Sequence, residues 1–162
     1  MLKKIYNEVT REWDTSVEEA LKSFIRLPAL SPDFDKKWEE NGVLLKALEE
    51  AKAWAEKQGI KGLRCEIIKD DGFTPCLFIE VDATSDKKFE RSVFFYGHLD
   101  KQPPNEGWDP DKSAWEPVIQ NGRLYGRGAV DDGYAFYTSL AAVKVLQTLE
   151  IPHPRCVGLF ET

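Results

Sequence analysis

Apolar residues recur at helical spacing in the first third of the chain. One predicted helical face carries Val17, Ala20, Leu21, Phe24 and Ile25. Ser16 and Glu19 are spaced as a capping box at the start of this helix, and Pro28 predicts its end. A second helix is predicted from about 36 to 57, with Gly59 as its stop. Its inward positions are Leu44, Leu48, Ala51 and Ala55.

Beyond residue 60 the pattern changes to the short apolar runs and alternation typical of strands. Strands are predicted at 63–67, 76–81, 93–96 and 155–160. The run 93–96 is apolar on both faces, which predicts a central strand of a sheet that is covered on both sides. A loop is predicted over 101–121, which holds four prolines, and a helix over 134–149. This alternation predicts the α/β class, with layers in the order helix–sheet–helix.

Composition narrows the class of protein. A chain of 162 residues makes one domain or a piece of one, and its net charge of −6 offers no basic surface for nucleic acid or for an anionic membrane. No apolar run approaches the roughly 20 residues of a transmembrane helix, and the charged N-terminus does not resemble a signal peptide. Three widely spaced cysteines exclude a disulfide framework and a cysteine zinc knuckle, and they favour the cytoplasm.

The first candidate for chemistry follows the predicted strand 93–96. His98 and Asp100 stand two residues apart, so both side chains point to one side of an extended backbone. A histidine oriented by a carboxylate is the usual arrangement of a metal ligand. The alternative is a histidine at a strand end beside a solvated aspartate, and this segment alone favours that alternative. His153 lies between two prolines and is interpreted as a loop residue.

The second candidate lies just before the predicted helix 134–149. Residues 124–133 contain three glycines and the adjacent pair Asp131 and Asp132. Neighbouring carboxylates repel each other unless a cation or hydrogen bonds compensate them. A helix N-cap would explain one of the two acids and leave the other unexplained.

Together, GHLDKQP at 97–103 and GRLYGRGAVDDG at 122–133 resemble the zinc-dependent dipeptidases, acylases and carboxypeptidases of peptidase family M20. The resemblance implies two divalent metal ions, zinc with manganese or cobalt as alternatives. By the same resemblance, His98 is a ligand of one ion and Asp131 bridges both. It assigns Asp100 a catalytic role in orienting His98, and it makes Asp132 a neighbour of the site, often joined to the preceding residue by a cis peptide bond.

The resemblance also implies what lies outside the chain. The general-base Glu, the remaining metal ligands and a dimerisation or lid domain are expected beyond Thr162, with Glu161 a few residues before the Glu pair. Residues 1–162 are therefore expected to be the N-terminal portion of a catalytic domain. We expect the longer parent protein, of which this chain is a part, to be a homodimeric cytoplasmic hydrolase of a dipeptide or an N-acyl amino acid. We expect this chain alone to be inactive.

Two other hypotheses remain at this point. The chain could be a non-catalytic module that keeps the fold for binding or dimerisation. It could also be a metal-free hydrolase with paired carboxylates, although that requires acids from two separate strands and no second acid is identified. The sequence that follows Thr162 would distinguish the first of these hypotheses from a catalytic domain.

Overall fold

The computed structural model describes residues 1–84 and 90–162, which form five α-helices and six strands. The helices are α1 (Leu2–Glu12), α2 (Glu18–Arg26), α3 (Trp38–Asn41), α4 (Val43–Glu56) and α5 (Gly133–Thr148). A π-helical turn, Trp13–Val17, joins α1 to α2. The strands are β1 (Leu63–Ile68), β2 (Cys76–Val81), β3 (Val93–His98), β4 (Val118–Gln120), β5 (Arg123–Tyr125) and β6 (Cys156–Glu161).

Four strands form a mixed sheet in the order β1-β2-β6-β3. The pairs β1–β2 and β2–β6 are antiparallel, whereas β3 and β6 are parallel. In the parallel pair His98 is opposite Glu161, so both strands reach the same edge of the sheet. This edge carries the candidate site.

One face of the sheet packs against α4 and α5, and α2 packs against these two helices. On this face β2 and β6 bury every second residue, namely Leu77, Ile79, Val81, Cys156, Gly158 and Phe160. Phe136 of α5 packs its ring edge-on against Phe160, with 5.0 Å between ring centroids. The alternation agrees with the period of two that a half-covered strand requires. The hydrophobic core therefore lies between this face and the helices. It fixes the position of α5 against the sheet.

The α/β class is confirmed, and every predicted helix and strand is present in some form. The predicted helix over 17–25 is the second half of a longer helical segment that begins at Leu2. The capping box is wrong, because Ser16 lies inside that segment. Its hydroxyl accepts a hydrogen bond from Trp54 Nε1 at 3.1 Å and donates one to Gln58 Oε1 at 3.0 Å. The predicted helix over 36–57 is divided by Gly42, whose φ of +67° ends α3 and begins α4.

The predicted central position of residues 93–96 is also wrong. β3 is an edge strand, with Val93, Phe94 and Tyr96 exposed by 39%, 62% and 57%. An apolar run predicts that both faces of a strand can be covered, but the packing of other elements decides whether they are. Phe94 and Tyr96 lie on the second face of β3, and within the described residues no helix of the expected second layer covers them.

The predicted loop over 101–121 contains the start of a small hairpin, β4–β5. No helix in the described ranges combines the length and the apolar character that a membrane crossing requires.

Candidate metal centre

The site is built where β3 ends and α5 begins. His98 is the last residue of β3, and Asp131 and Asp132 immediately precede α5. Ligands of open α/β sheets bind outside the carboxyl ends of the strands. The N-terminus of a 16-residue helix adds a partial positive charge that favours carboxylates there. Both predicted constellations therefore lie at one edge of the sheet.

The imidazole of His98 lies between two carboxylates. Its Nε2 is 3.2 Å from Asp131 Oδ1, and its Nδ1 is 2.9 Å from Asp100 Oδ1. The side chains are 32% exposed for His98, 18% for Asp100 and 64% for Asp131. Asp100 thus holds the inner nitrogen, while the outer nitrogen and Asp131 face solvent together. The structure brings the three predicted residues to one place.

Asp132 takes a different position from its neighbour. The Asp131–Asp132 peptide bond is cis, as the family resemblance implies. The Asp132 carboxylate accepts a hydrogen bond from the backbone N–H of His98 at 3.3 Å. It therefore supports the backbone of His98, whereas Asp131 faces the ring.

Glycines allow the close approach of these segments. A Cβ on Gly97 would lie 2.7 Å from Asp132 Oδ2, and a Cβ on Gly133 would lie 2.3 Å from Phe24 Cε1. Gly128 has a φ of +86°, which side-chain-bearing residues rarely adopt. These contacts explain why glycines surround the acidic pair.

The charges of the site act on each other. Burial disfavours the charged imidazolium, but the carboxylates of Asp100, Asp131 and Asp132 outweigh burial and raise the pKa of His98. Burial raises the pKa of Asp132, while its hydrogen bond with the His98 backbone and the charge of His98 act in the opposite direction. The centre is thus an anionic pocket around one imidazole, which favours a bound cation.

The donor atoms fit part of a metal centre. Two ligands at about 2.0–2.1 Å from one tetrahedral zinc ion are about 3.3 Å apart, close to the 3.2 Å between His98 Nε2 and Asp131 Oδ1. The Asp100 contact with Nδ1 is the carboxylate–histidine arrangement that leaves Nε2 free to bind metal. Among the described residues, however, no group of three His, Cys, Asp or Glu side chains could hold an ion. The residues therefore fit two ligand positions of a site that needs further donors.

Glu161 lies at the same edge of the sheet, beside His98 in the register of β3 and β6. Its carboxylate accepts a hydrogen bond from the Tyr96 hydroxyl, and its backbone oxygen accepts one from Leu99 N at 2.7 Å. The Glu161 side chain is therefore engaged with β3 in this structure.

Sequence reasoning missed Lys101, which is 1% exposed. Its side chain lies under the glycine-rich segment, where Cε would be 2.8 Å from a Cβ on Gly128. A signal existed in the sequence, since Lys101 lies inside the GHLDKQP motif, directly after the candidate site residue Asp100. A lysine that is buried needs a polar partner.

Comparisons with known proteins found relatives of part of the chain. Residues 94–161 match Peptidase family M20/M25/M40. Over 78 residues the chain is 36% identical to the Beta-Ala-His dipeptidase of Mus musculus, covering 47% of the chain and 15% of the relative. Over 67 residues it is 40% identical to the succinyl-diaminopimelate desuccinylase of Aromatoleum aromaticum, covering 40% of the chain and 16% of the relative.

The fold is also shared with solved structures. The crystal structure of human carnosine dipeptidase 1 superimposes with a TM-score of 0.72 at 21% identity, over 99% of this chain and 34% of that one. The chain thus spans about a third of that protein, and its alignments span less than a fifth of the curated relatives. Residues 94–161, which carry His98, Asp100 and Asp131, are thus similar to Peptidase family M20/M25/M40.

Proposed function

We propose that the chain is the N-terminal portion of the catalytic domain of a metal-dependent hydrolase that cleaves an amide bond. The observation that carries this proposal is the position of His98 between Asp100 and Asp131, with Nε2 turned toward the exposed carboxylate. The family match over the same residues supports it.

Each residue has a separate task in this proposal. His98 Nε2 and an Asp131 oxygen would hold divalent ions, two in all, with zinc favoured and manganese or cobalt as alternatives. Asp100 accepts a hydrogen bond from Nδ1–H of His98, which leaves the lone pair on Nε2. Asp132 holds the His98 backbone in place. When bound, such ions bring the pKa of a water near neutrality and polarise the scissile carbonyl.

The proton balance requires a further residue. A base must take the proton of the attacking water and return it to the leaving amine. Glu161 is engaged by Tyr96, so we propose that the base and the remaining ligands lie beyond Thr162. The exposed Phe94 and Tyr96 on the open side of β3 support a domain that continues there. The chain alone is then inactive.

The substrates proposed are dipeptides and N-acyl amino acids, and the matches to a named dipeptidase and a named desuccinylase support these two classes. The parent is proposed to be a homodimer, as the family resemblance implies. The cytoplasm is its proposed location, supported by thiols at Cys65, Cys76 and Cys156 that form no disulfide.

Metal binding tests the proposal directly. Calorimetric titration of the chain with zinc should give weak binding, because a catalytic zinc normally has three protein ligands and this chain offers two. His98→Ala and Asp131→Asn should each weaken binding further. Asp14→Asn, an exposed carboxylate on the π-helical turn, is the matched control and should leave binding unchanged. Tight binding that His98→Ala leaves intact would show that the ligand is wrongly assigned.

Activity provides the second test. With zinc or manganese added, the chain should not hydrolyse a panel of Gly-, Ala- and β-alanyl dipeptides, whereas a longer protein that contains it should. Loss of a general base alone reduces rates by about 10²–10⁴-fold. Turnover by the chain within tenfold of the longer protein, abolished by Glu161→Gln, would contradict both the inactivity and the position of the base.

A further inference from the structure

Lys101 carries a buried amino group that the proposed chemistry does not use. This group lies within hydrogen-bonding distance of three backbone oxygens at the C-terminal end of α2, those of Phe24, Ile25 at 3.4 Å and Leu27 at 2.6 Å. The Nζ atom also lies 3.9 Å from the centroid of the Phe24 ring. Within the described residues no carboxylate lies within 4 Å of this nitrogen. The carbonyls that end a helix are the natural partners of such a group.

The backbone of Lys101 joins the same helix end to the site. Lys101 O accepts a hydrogen bond from Ser31 N at 2.9 Å, and Lys101 pairs with Leu30 in an isolated parallel bridge. Two residues earlier, Leu99 is fully buried and its N–H donates to Glu161 O at 2.7 Å. Asp100 is therefore held between two fixed points, one at each side.

The side-chain stem of Lys101 supports the other half of the site. A Cβ added to Gly128 would lie 2.8 Å from Lys101 Cε and 2.9 Å from Phe24 Cε1. Gly128 O in turn accepts a hydrogen bond from Gly133 N at 3.0 Å. The segment that carries Asp131 thus rests on the Lys101 stem, while the Lys101 backbone adjoins Asp100.

We propose that Lys101 is a positioning residue that sets the His98 ring between Asp100 and Asp131 by tying both carboxylate-bearing segments to the end of α2. The metal-ligand role of His98 in this inference rests on the proposed function, but the orientation of the ring does not. Removal of the Lys101 amino group leaves the helix-end carbonyls without this donor and frees the loop 99–101. The His98 ring then loses its preferred tautomer, and Nε2 is less available to a cation.

The orientation of His98 can be read without any metal. The chain has two histidines, so two-bond ¹H–¹⁵N spectra at pH 8 resolve His98 and His153. The unmodified chain should show His98 with its proton on Nδ1. Lys101→Met should shift His98 toward a mixture of both tautomers and leave His153 unchanged. Zinc affinity should fall by about tenfold, as for the loss of a residue that orients a ligand.

The control separates positioning from stability. Val81→Ala removes a buried side chain from β2 at the end of the sheet opposite to His98, where Val81 pairs with Cys156. It should lower stability without moving the His98 spectrum. If Lys101→Met folds and matches Val81→Ala in tautomer and in zinc affinity within twofold, the positioning role is refuted.

A second pair of variants covers the case in which Lys101→Met does not fold. Gly128→Ala displaces the Lys101 stem and should shift the His98 tautomer. Gly122→Ala shares the positive φ but has open space around the new Cβ, so its His98 spectrum should not change. Identical spectra for this pair contradict the inference. A tautomer shift in Lys101→Met combined with zinc binding that His98→Ala leaves intact would refute the metal role and retain the positioning role.

Discussion

Gly97 allows the first turn of α5 to approach β3, and its substitution by alanine tests the geometry beneath the site. An added Cβ would lie 2.7 Å from Asp132 Oδ2, 3.1 Å from Ala135 Cβ and 3.2 Å from Phe160 Cδ1. The Asp132 carboxylate can rotate away, but it then loses the hydrogen bond from the backbone N–H of His98. The cost of Gly97→Ala therefore depends mainly on Asp132.

The magnitude follows from these contacts. A hydrogen bond to a charged group contributes about 1.5–3 kcal/mol, and the 3.3 Å length and partial exposure place this one near about 1.5 kcal/mol. The tight contacts with Ala135 and Phe160 cost about 1 kcal/mol. Alanine recovers about 0.5 kcal/mol in backbone entropy relative to glycine. We expect Gly97→Ala to lower the free energy of unfolding by about 2 kcal/mol.

A double-mutant cycle with Asp132→Ala isolates the contact between the Cβ added at residue 97 and the Asp132 carboxylate. Asp132→Ala alone should cost about 1.5 kcal/mol, because it removes the same hydrogen bond. In that background Gly97→Ala should cost only about 0.5 kcal/mol, which gives a coupling energy of about 1.5 kcal/mol. Urea denaturation of the four proteins, with equal m values, measures each free energy. Effects that add within about 0.5 kcal/mol would refute the proposed packing of Asp132 against β3.

Three further predictions concern the rest of the chain. Gly158→Ala places a Cβ 2.5 Å from Ile79 Cγ1 and should lower the free energy of unfolding, measured with urea, by about 2 kcal/mol. The control Gly122→Ala has open space around its Cβ and should cost roughly 1 kcal/mol. A loss for Gly158→Ala no larger than that of the control would contradict this packing. Ser16→Ala leaves the indole N–H of Trp54 without its acceptor and should cost about 1–2 kcal/mol, measured by thermal unfolding followed by tryptophan fluorescence. Burial lowers the pKa of Lys101 to about 7, below the value of about 10.4 in an unfolded chain. Between these two pH values the unfolded state binds more protons than the folded state. The free energy of unfolding therefore rises with pH in this range. Urea titrations at pH 7 and pH 9 should show this contribution, and Lys101→Met should remove it.

The amino-acid sequence by itself determined most of the local elements and selected the candidate site residues. The patterns of apolar residues located α2, α5 and the four strands of the main sheet within a few residues, whereas the helix predicted over 36–57 is divided into α3 and α4. The glycine-flanked motifs pointed to His98, Asp100 and Asp131, and the structure places the His98 ring within hydrogen-bonding distance of both carboxylates. Such signals are local, since period and turn chemistry depend on neighbouring residues. The roles of His98 and Asp131 as metal ligands stay a prediction.

Only the tertiary structure decided which surfaces are covered and which groups are paired. The apolar run of β3 is the same whether the strand is central or at an edge, and the packing leaves Phe94 and Tyr96 exposed. Ser16 has the spacing of a cap, but its partners, Trp54 and Gln58, lie on α4 and in the turn after it. A lysine in a polar segment is expected at the surface, but the end of α2 surrounds Lys101. In each case the deciding contact joins residues that are far apart in the chain, and no local pattern encodes a partner at such a distance.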